Sequence, residues 1–359
     1  MMEQIEESEN MQQSQEVHQA HPAQMGNITS MIKKYGLAVK TEGSRAIIKV
    51  PNDLTGEDLP PYLKGLIFNK DTDEVICPGV IVPKTSTEIP DNAVSFSPAY
   101  DGVLFRVYYT EGAWQASTIG QITATSGWGC PPFNVLFAEL QDQIDYTLLD
   151  SSYCYSIVMC HKAHVNIVPH LENRIVLVEV VTKSLPFTSV PLQTAPGSRA
   201  FPHIAPVYTG DFEDNGIGKN ITTAAGDRYR LDTAWFTAAK ALKPNLPDIF
   251  AHWIHLLVRP GQGGTEAAIL GNAETKIGAY LKFFPWHTET FNYMRHRFLQ
   301  LHYTILLKIV DPRTIIPSRV VKFTRELTEE EKTPCNVMLK LLNCEAKHLY
   351  YLMNPWNKE

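Results

Sequence analysis

Residues 97–109 read SPAYDGVLFRVYY, and residues 114–122 read WQASTIGQI. Val103 to Tyr109 is β-branched, aromatic and apolar, the composition of a half-buried strand. Glu111, Gly112 and Ala113 are predicted as a three-residue turn that folds the chain back into a second strand, closed by Thr118-x-Gly120. An Asp-Gly pair at 101–102 opens this hairpin, and Ala99 stands two residues before the aspartate.

Working outward, Arg45–Val50 alternates as a short strand, and Lys64–Phe68 with Val75–Val82 reads as a hairpin with a long tip at 69–74. Phe133, Leu136, Phe137, Leu140, Ile144 and Leu148 recur at helical spacing, so 132–149 is predicted as an amphipathic helix started by Pro131 and Pro132. Tyr153–Cys160 and Arg174–Thr182 read as strands. Residues 184–232, with five prolines in 185–206, read as loop. A short helix is expected over 233–242, strands over 253–259, 267–270 and 279–284, and helix from 288 to 310. A last helix is placed from Thr328, where Thr328 and Glu331 form a capping-box pattern, with Leu339, Leu342, Ala346 and Leu349 as its apolar stripe.

Composition bounds the class. The 359 residues are 44% hydrophobic and 19% charged, ordinary for a globular protein, and no apolar run is long enough to span a bilayer. No basic-then-apolar leader opens the chain, and a cytoplasmic location is expected. The six cysteines hold no C-x-x-C pair, which argues against a zinc site or a disulfide framework. The formal net charge is -6, but residues 1–25 carry five glutamates and no Lys or Arg; 1–27 is expected to be a disordered acidic tail. Residues 281–325 instead concentrate Lys282, Arg295, Arg297, Lys308, Arg313, Arg319, Lys322 and Arg325 against Glu289 and Asp311, as a phosphate-facing patch or a solvated helix face.

Taken in order, these motifs resemble the covalent nucleotidyltransferases: ATP-dependent RNA ligases, DNA ligases and capping enzymes. Lys64-Gly65-Leu66-Ile67-Phe68 is similar to the family's strand ahead of the active site. Ala99-Tyr100-Asp101-Gly102 falls on the K-x-D-G box, with Arg106 near the following cationic position and Thr118 and Gly120 on the next strand's Thr-x-Gly. Leu171-Glu172-Asn173-Arg174-Ile175-Val176 looks like the E-N-R-I-V strand of tRNA-repairing RNA ligases. Gly264–Leu270, with Glu266, can be laid on the E-G-x-V motif, and Leu281-Lys282-Phe283 on the closing hydrophobic-Lys-hydrophobic strand. Phe291–Arg297 resembles the helical tail of ligase-like proteins of large DNA viruses.

The resemblance implies an α+β nucleotidyltransferase (ATP-grasp-like ligase) fold, with two antiparallel sheets forming a cleft over 28–286 and a helical domain over 287–359. It implies catalytic roles for Asp101, Glu266 and Lys282, and nucleotide contacts from Lys64, Tyr100, Gly102, Arg106, Thr118 and Gly120. Arg295 and Arg297 would face nucleic acid, ATP and magnesium would be the cofactors, and RNA or DNA ends and other viral proteins the partners, in host cytoplasm or virion, with no membrane. Two departures bear on activity. Ala99 stands where the family's lysine takes the AMP and has no amine, and the acidic residue expected near Ser156–Val158 is absent. The expectation is a catalytically degenerate, nucleotide- or nucleic-acid-end-binding protein. Its rivals are an active ligase with a displaced lysine (Lys64 or Lys84) and a scaffold using an inherited fold.

Other patterns weigh less. His161/His164 and His252/His255 have i,i+3 spacing but fall in predicted strands, where such residues face opposite sides. Gly216-Ile217-Gly218-Lys219 lacks the phosphate-loop spacing, Gly261–Gly264 reads as a turn, and Trp128 as a core anchor.

Overall fold

The computed structural model describes residues 28–51, 59–60, 62–125, 131–164, 166–210, 216–243, 249–258 and 266–353. The acidic tail, Trp128 and Gly261–Gly264 lie outside them. The chain is α+β; among the described residues its sheets lie before residue 233 and all but two of its α-helices after it. It divides into two compact units, Met1–Phe236 and Thr237–Glu359, so the division falls earlier than residue 287.

Among the described residues, the first unit holds three sheets. One is antiparallel, β1 (Ala38–Glu42), β2 (Arg45–Lys49), β3 (Ile67–Asn69) and β4 (Val75–Cys77), preceded by helix α1 (Ile28–Tyr35). The central sheet runs β11-β10-β9-β7-β8: Ser189–Val190, Arg174–Thr182, Tyr153–Cys160, Val103–Thr110 and Ala113–Thr118. β12 (His203–Ile204) also pairs with β10, in parallel. The third sheet runs β5 (Lys84–Ser86), β14 (Arg228–Asp232), β13 (Gly218–Thr223) and β6 (Ala93–Pro98), with β5 parallel to β14. Ala99–Gly102 is the direct link from β6 of the third sheet to β7 of the central one.

The β7–β8 hairpin forms where expected, but its turn is tighter. Thr110 pairs with Ala113, leaving only Glu111 and Gly112 between the strands, both at positive φ (51° and 78°). That is the two-residue geometry whose twist matches flanking strands. Alternation then sorts β7. Val103, Phe105 and Val107 point into the main core with Tyr155, Ile157 and Met159 of β9, Ile175 and Leu177 of β10, and helix α2 (Phe133–Ala138). Phe105 stacks on Phe137 at 4.8 Å. Each buried aromatic there contributes roughly 2–3 kcal/mol. The predicted helix over 132–149 shortens to α2 and two 3-10 turns, because the Asp145 carboxylate accepts from Thr147 N at 3.0 Å and restarts the chain. Gly102 is held by close approach: a Cβ there would lie 2.5 Å from Met159 O.

Residues 184–232, expected as loop, contain β11 to β14. GKNITT has one large apolar residue, and the Tyr229/Leu231 alternation of RYRLD is too short to stand out.

The second unit is helical: the rest of α3 (Ala234–Leu242), α4 (Ile249–Leu257), α5 (Glu266–Phe283), α6 (Thr288–Val310), α7 (Ser318–Arg325), α8 (Pro334–Leu342) and α9 (Ala346–Met353). The strands expected over 253–284 are therefore α4 and α5. The runs there are short and apolar nearly all round, which carries no period to tell a buried helix from a strand. The capping box at Thr328 forms, with Thr328 N donating to Glu331 Oε2 (2.9 Å) and Glu331 N to Thr328 Oγ1 (3.3 Å), but it caps a single 3-10 turn. The helix proper restarts at Pro334, with Thr333 as its cap, and the expected stripe is split between α8 and α9. No described helix is long and apolar enough to cross a membrane.

Tyr280, Phe284, His287 and Phe291 stack as neighbouring rings, and Tyr280 Oη meets His287 Nδ1 at 3.0 Å. Burial, then His252 and Lys243, lower His287 to about 4. A histidine depressed in the fold takes up its proton more readily when unfolded. The stability it contributes is therefore present above about pH 6.5 and is lost as pH falls towards about 4. With screening at this half-buried site, the loss should be about 1–2 kcal/mol. Urea unfolding at pH 7 and pH 4.5 should show it, and His287→Phe should remove that part of the pH dependence.

Candidate functional site

The second face of the central sheet is polar where a core would be apolar. Arg106 on β7 is directly opposite Ser117 on β8 and Ser156 on β9, and Ser156 is opposite Glu179 on β10. The four form one row across four strands, at 1%, 0%, 5% and 7% exposure. A bulge between Leu177 and Glu179 lets Glu179 join the row. Without it, strict alternation would put this carboxylate on the face of Ile175 and Leu177, in the main core.

Each member is held. The Arg106 guanidinium donates to Pro78 O (3.0 Å), Ser117 Oγ (3.1 Å) and Thr118 O (3.2 Å), and its Nε has no acceptor. Ser156 Oγ donates to Glu179 Oε2 at 3.5 Å. Arg228, reaching over from β14 of the third sheet, donates to Glu179 Oε1 and to Ser189 Oγ (3.4 Å). Burial alone would lower the Arg228 pKa. The Glu179 carboxylate and then Tyr62 outweigh it, and the shift is upward. Burial, followed by Glu179, raises the Tyr62 hydroxyl against the opposing pull of Arg228. Buried ions cost several kcal/mol each unless paired, so this row is an expensive feature of the sheet.

Beside the row, towards Asp101, the same face is half-open. Leu104 and Val158 are cross-strand neighbours and only half-buried, whereas Val103, Phe105, Ile157 and Met159 on the opposite face are buried. Further along, Arg174 is half-buried and paired in register with Cys160. Burial raises the Cys160 thiol, and Arg174 works against it. Tyr100, half-buried, is raised by burial and lowered by Arg174.

Asp101 is already engaged. Its Oδ2 accepts from Ile167 N (2.5 Å) and Val168 N (2.9 Å), and its carbonyl accepts from His170 Nε2 (2.6 Å). Burial lowers the His170 pKa, favouring the neutral ring. The aspartate thus anchors the 161–170 segment, whose His161 ring, accepting from Ala163 N at Nδ1, reaches Glu139 through Nε2 at 3.0 Å.

The other expected nucleotide contacts are partly gathered. Arg106 holds Thr118, and Gly120 N donates to Thr118 Oγ1 (3.4 Å). A Cβ on Gly65 would lie 2.9 Å from Ile119 O, so the strand after Lys64 touches this turn. Lys49, which the sequence did not single out, donates to Gly120 O; burial and then Lys40 lower its pKa. Lys64 pairs with Val80 across a β-bridge, and Lys84 lies 3.9 Å from Asp227.

Glu266, Lys282, Arg295 and Arg297 belong to the second unit. Glu266 opens α5 and Lys282 lies in its last turn, so neither sits on the motif strand expected for it. Arg295 pairs with Glu274 at 2.5 Å on the surface, and Arg297 donates to Met353 O at 3.4 Å. His252 and His255 are on α4, not a strand, the first buried and the second exposed. No group of three His, Cys, Asp or Glu side chains that could hold a metal occurs among the described residues.

No family model matches the chain, and no curated protein does. Among solved structures it is similar to a protein assigned as an ATP-dependent DNA ligase from Aquifex aeolicus, at 12% identity, 75% coverage of each chain and a TM-score of 0.44. It is also similar to an archaeal ATP-dependent RNA ligase, at 13% identity, 71% and 70% coverage and a TM-score of 0.43.

Proposed function

We propose that this is a catalytically degenerate protein of the ligase-type nucleotidyltransferase class, binding a nucleotide or nucleic-acid end without forming a covalent adduct. The observation that carries the reading is the second face of the central sheet. A half-open apolar platform, Leu104 and Val158, lies beside a buried polar row, and both adjoin the Ala99–Gly102 link between two sheets. A planar base fits such a platform, and Arg174 offers charge to a phosphate. Glu179, directly across from Ser156, is a carboxylate beside the stretch where this chain lacks the acidic residue of the family motif.

Ala99 is fully buried and has no amine, so the covalent step has no nucleophile at that position. Asp101 and Glu179 are engaged by backbone N–H groups and a guanidinium, a poor donor set for magnesium, and no metal step is derived. ATP would be held by the platform and Arg174, with Lys49, Lys64 and the 118–120 turn at the rim. The expected setting is the host cytoplasm or virion of a large DNA virus, with RNA or DNA ends and other viral proteins as partners.

The test uses the full chain with α-labelled ATP and a divalent metal. No acid-stable label is expected, while equilibrium dialysis should show saturable nucleotide binding that weakens at least about tenfold, or 1.4 kcal/mol, in Val158→Trp. Acid-stable label that disappears in Lys64→Ala or Lys84→Ala would mean an active ligase with a displaced lysine. No binding of ATP, AMP or short single-stranded RNA at low salt would leave a scaffold.

A further inference from the structure

Helix α6 carries two seams on opposite faces. Phe291, Met294, Phe298, Leu301 and Ile305 are buried, with Phe291 stacked on Tyr280 of α5 and Phe298 edge-on to Trp253 of α4. Two residues along, and so about 200° around the helix, a second series runs Tyr293, His296, Gln300, Tyr303, Leu307, Val310. Its steps alternate between three and four residues, the heptad spacing of a seam that packs on another helix. Every member is exposed, Tyr293 by 61%, Tyr303 by 63% and Val310 by 83%, and Leu299 on its flank is exposed as well. A face that only meets water would carry charge at such positions. This one has no Lys, Arg, Asp or Glu in the series. An aromatic and aliphatic patch of this length marks a contact surface.

The chemistry of the face selects its occupant. A nucleic-acid strand or a charged protein needs opposing charge where it touches. The cations of α6 lie off the series and are engaged: Arg295 with Glu274, Arg297 at Met353 O and Lys308 at Thr314 O. The series is instead complementary to itself. Run antiparallel against a copy, Tyr293 meets Val310, His296 meets Leu307 and Gln300 meets Tyr303, each twice. Every member then has a mate, whereas a slip of one heptad leaves two members of each copy without one. Gln300, the polar member near the middle, faces a tyrosine hydroxyl in this register and an aliphatic or no residue in the others, which favours the full overlap. Antiparallel packing also opposes the two helix dipoles, where parallel packing would align them. Covering the exposed parts of the series and Leu299 would remove roughly 600 Å² from each copy, about 1,200 Å² in all, the low end of specific interfaces.

We propose that the protein forms a two-fold dimer in which the exposed face of α6 packs antiparallel on the same face of a second copy. The contact is isologous and closes on itself, so assembly stops at two. It stands on α6 alone and holds whether or not a nucleotide binds to the first unit.

Sedimentation equilibrium on the full chain tests this. An interface of this size should give a monomer–dimer equilibrium with a dissociation constant on the order of 1–10 μM. Leu307→Glu puts a carboxylate on the seam and should raise that constant at least about a hundredfold, with the far-ultraviolet spectrum and the urea midpoint of the monomer unchanged. Should Leu307→Glu not fold, Tyr303→Glu at a more exposed position takes its place. Register is read by mixing Tyr293→Cys with Val310→Cys, each in a Cys335→Ser background. Mild oxidation should link the two variants to each other, identified by peptide mass, in preference to linking either with itself. A chain that stays monomeric at about 100 μM would overturn the proposal. So would a dimer that both glutamate variants leave intact, or self-linked products in excess of the mixed one.

Discussion

Glu179→Leu is expected to destabilise the first unit by about 2–4 kcal/mol in urea unfolding. The carboxylate receives Arg228 from the third sheet and Ser156 from the neighbouring strand, and its removal strands a guanidinium whose side chain is only 23% exposed. The cost comes from the abandoned partner rather than from the lost attraction. The double variant Glu179→Leu with Arg228→Met should accordingly recover most of the stability, because an apolar pair of similar volume is often as good as a buried ion pair. If the double variant is no more stable than Glu179→Leu alone, the pair is not the source of the effect. Nucleotide binding should fall in both, which separates the row's part in the site from its part in the fold.

Asp101→Ala should release the 161–170 segment while leaving the sheets intact. Two backbone N–H groups converge on one carboxylate oxygen, and charge-assisted bonds of this kind contribute about 1.5–3 kcal/mol each. The amides of Ile167 and Val168 should exchange about a hundredfold faster or more, for a local loss of about 3 kcal/mol, with little change at Phe105 or Ile157 in the sheet. Asp101→Asn keeps an acceptor oxygen and should fall between. Unchanged exchange at 167 and 168 would show that the segment is held by something else. This anchoring gives the Asp-Gly pair a structural reason to exist that the nucleotidyltransferase resemblance did not require.

What could be read from the sequence follows the physics of the signal. β2, β7, β9 and β10 announce themselves through β-branched and aromatic runs, and the helix over 288–310 through its apolar spacing. The runs WIHLLVR and AYLKF were read as strands because short, uniformly apolar segments have no period. Their helical state is set by the partners they bury against. β13 escaped because Ile221 is its one large apolar residue, and β14 because its Tyr229/Leu231 alternation is only five residues long. At the site, Asp101, Arg106, Thr118 and Gly120 stand out because they fall on motifs of the family that this hairpin resembles. Ser117, Ser156, Glu179 and Arg228 do not, since nothing local says that residues so far apart in the chain share a row. Only strand register assembles them.

The irregularity at Leu177–Glu179 has a consequence for how this chain can change over time. Valine, isoleucine and leucine can trade places along β10 at modest expense, since each only swaps one oily side chain for another. Straightening the strand at constant length is a different matter. It would rotate the glutamate into hydrocarbon and bring an aliphatic group to Arg228. Selection on this strand should therefore act more strongly on keeping the kink at residue 178 than on the spelling of its aliphatic positions.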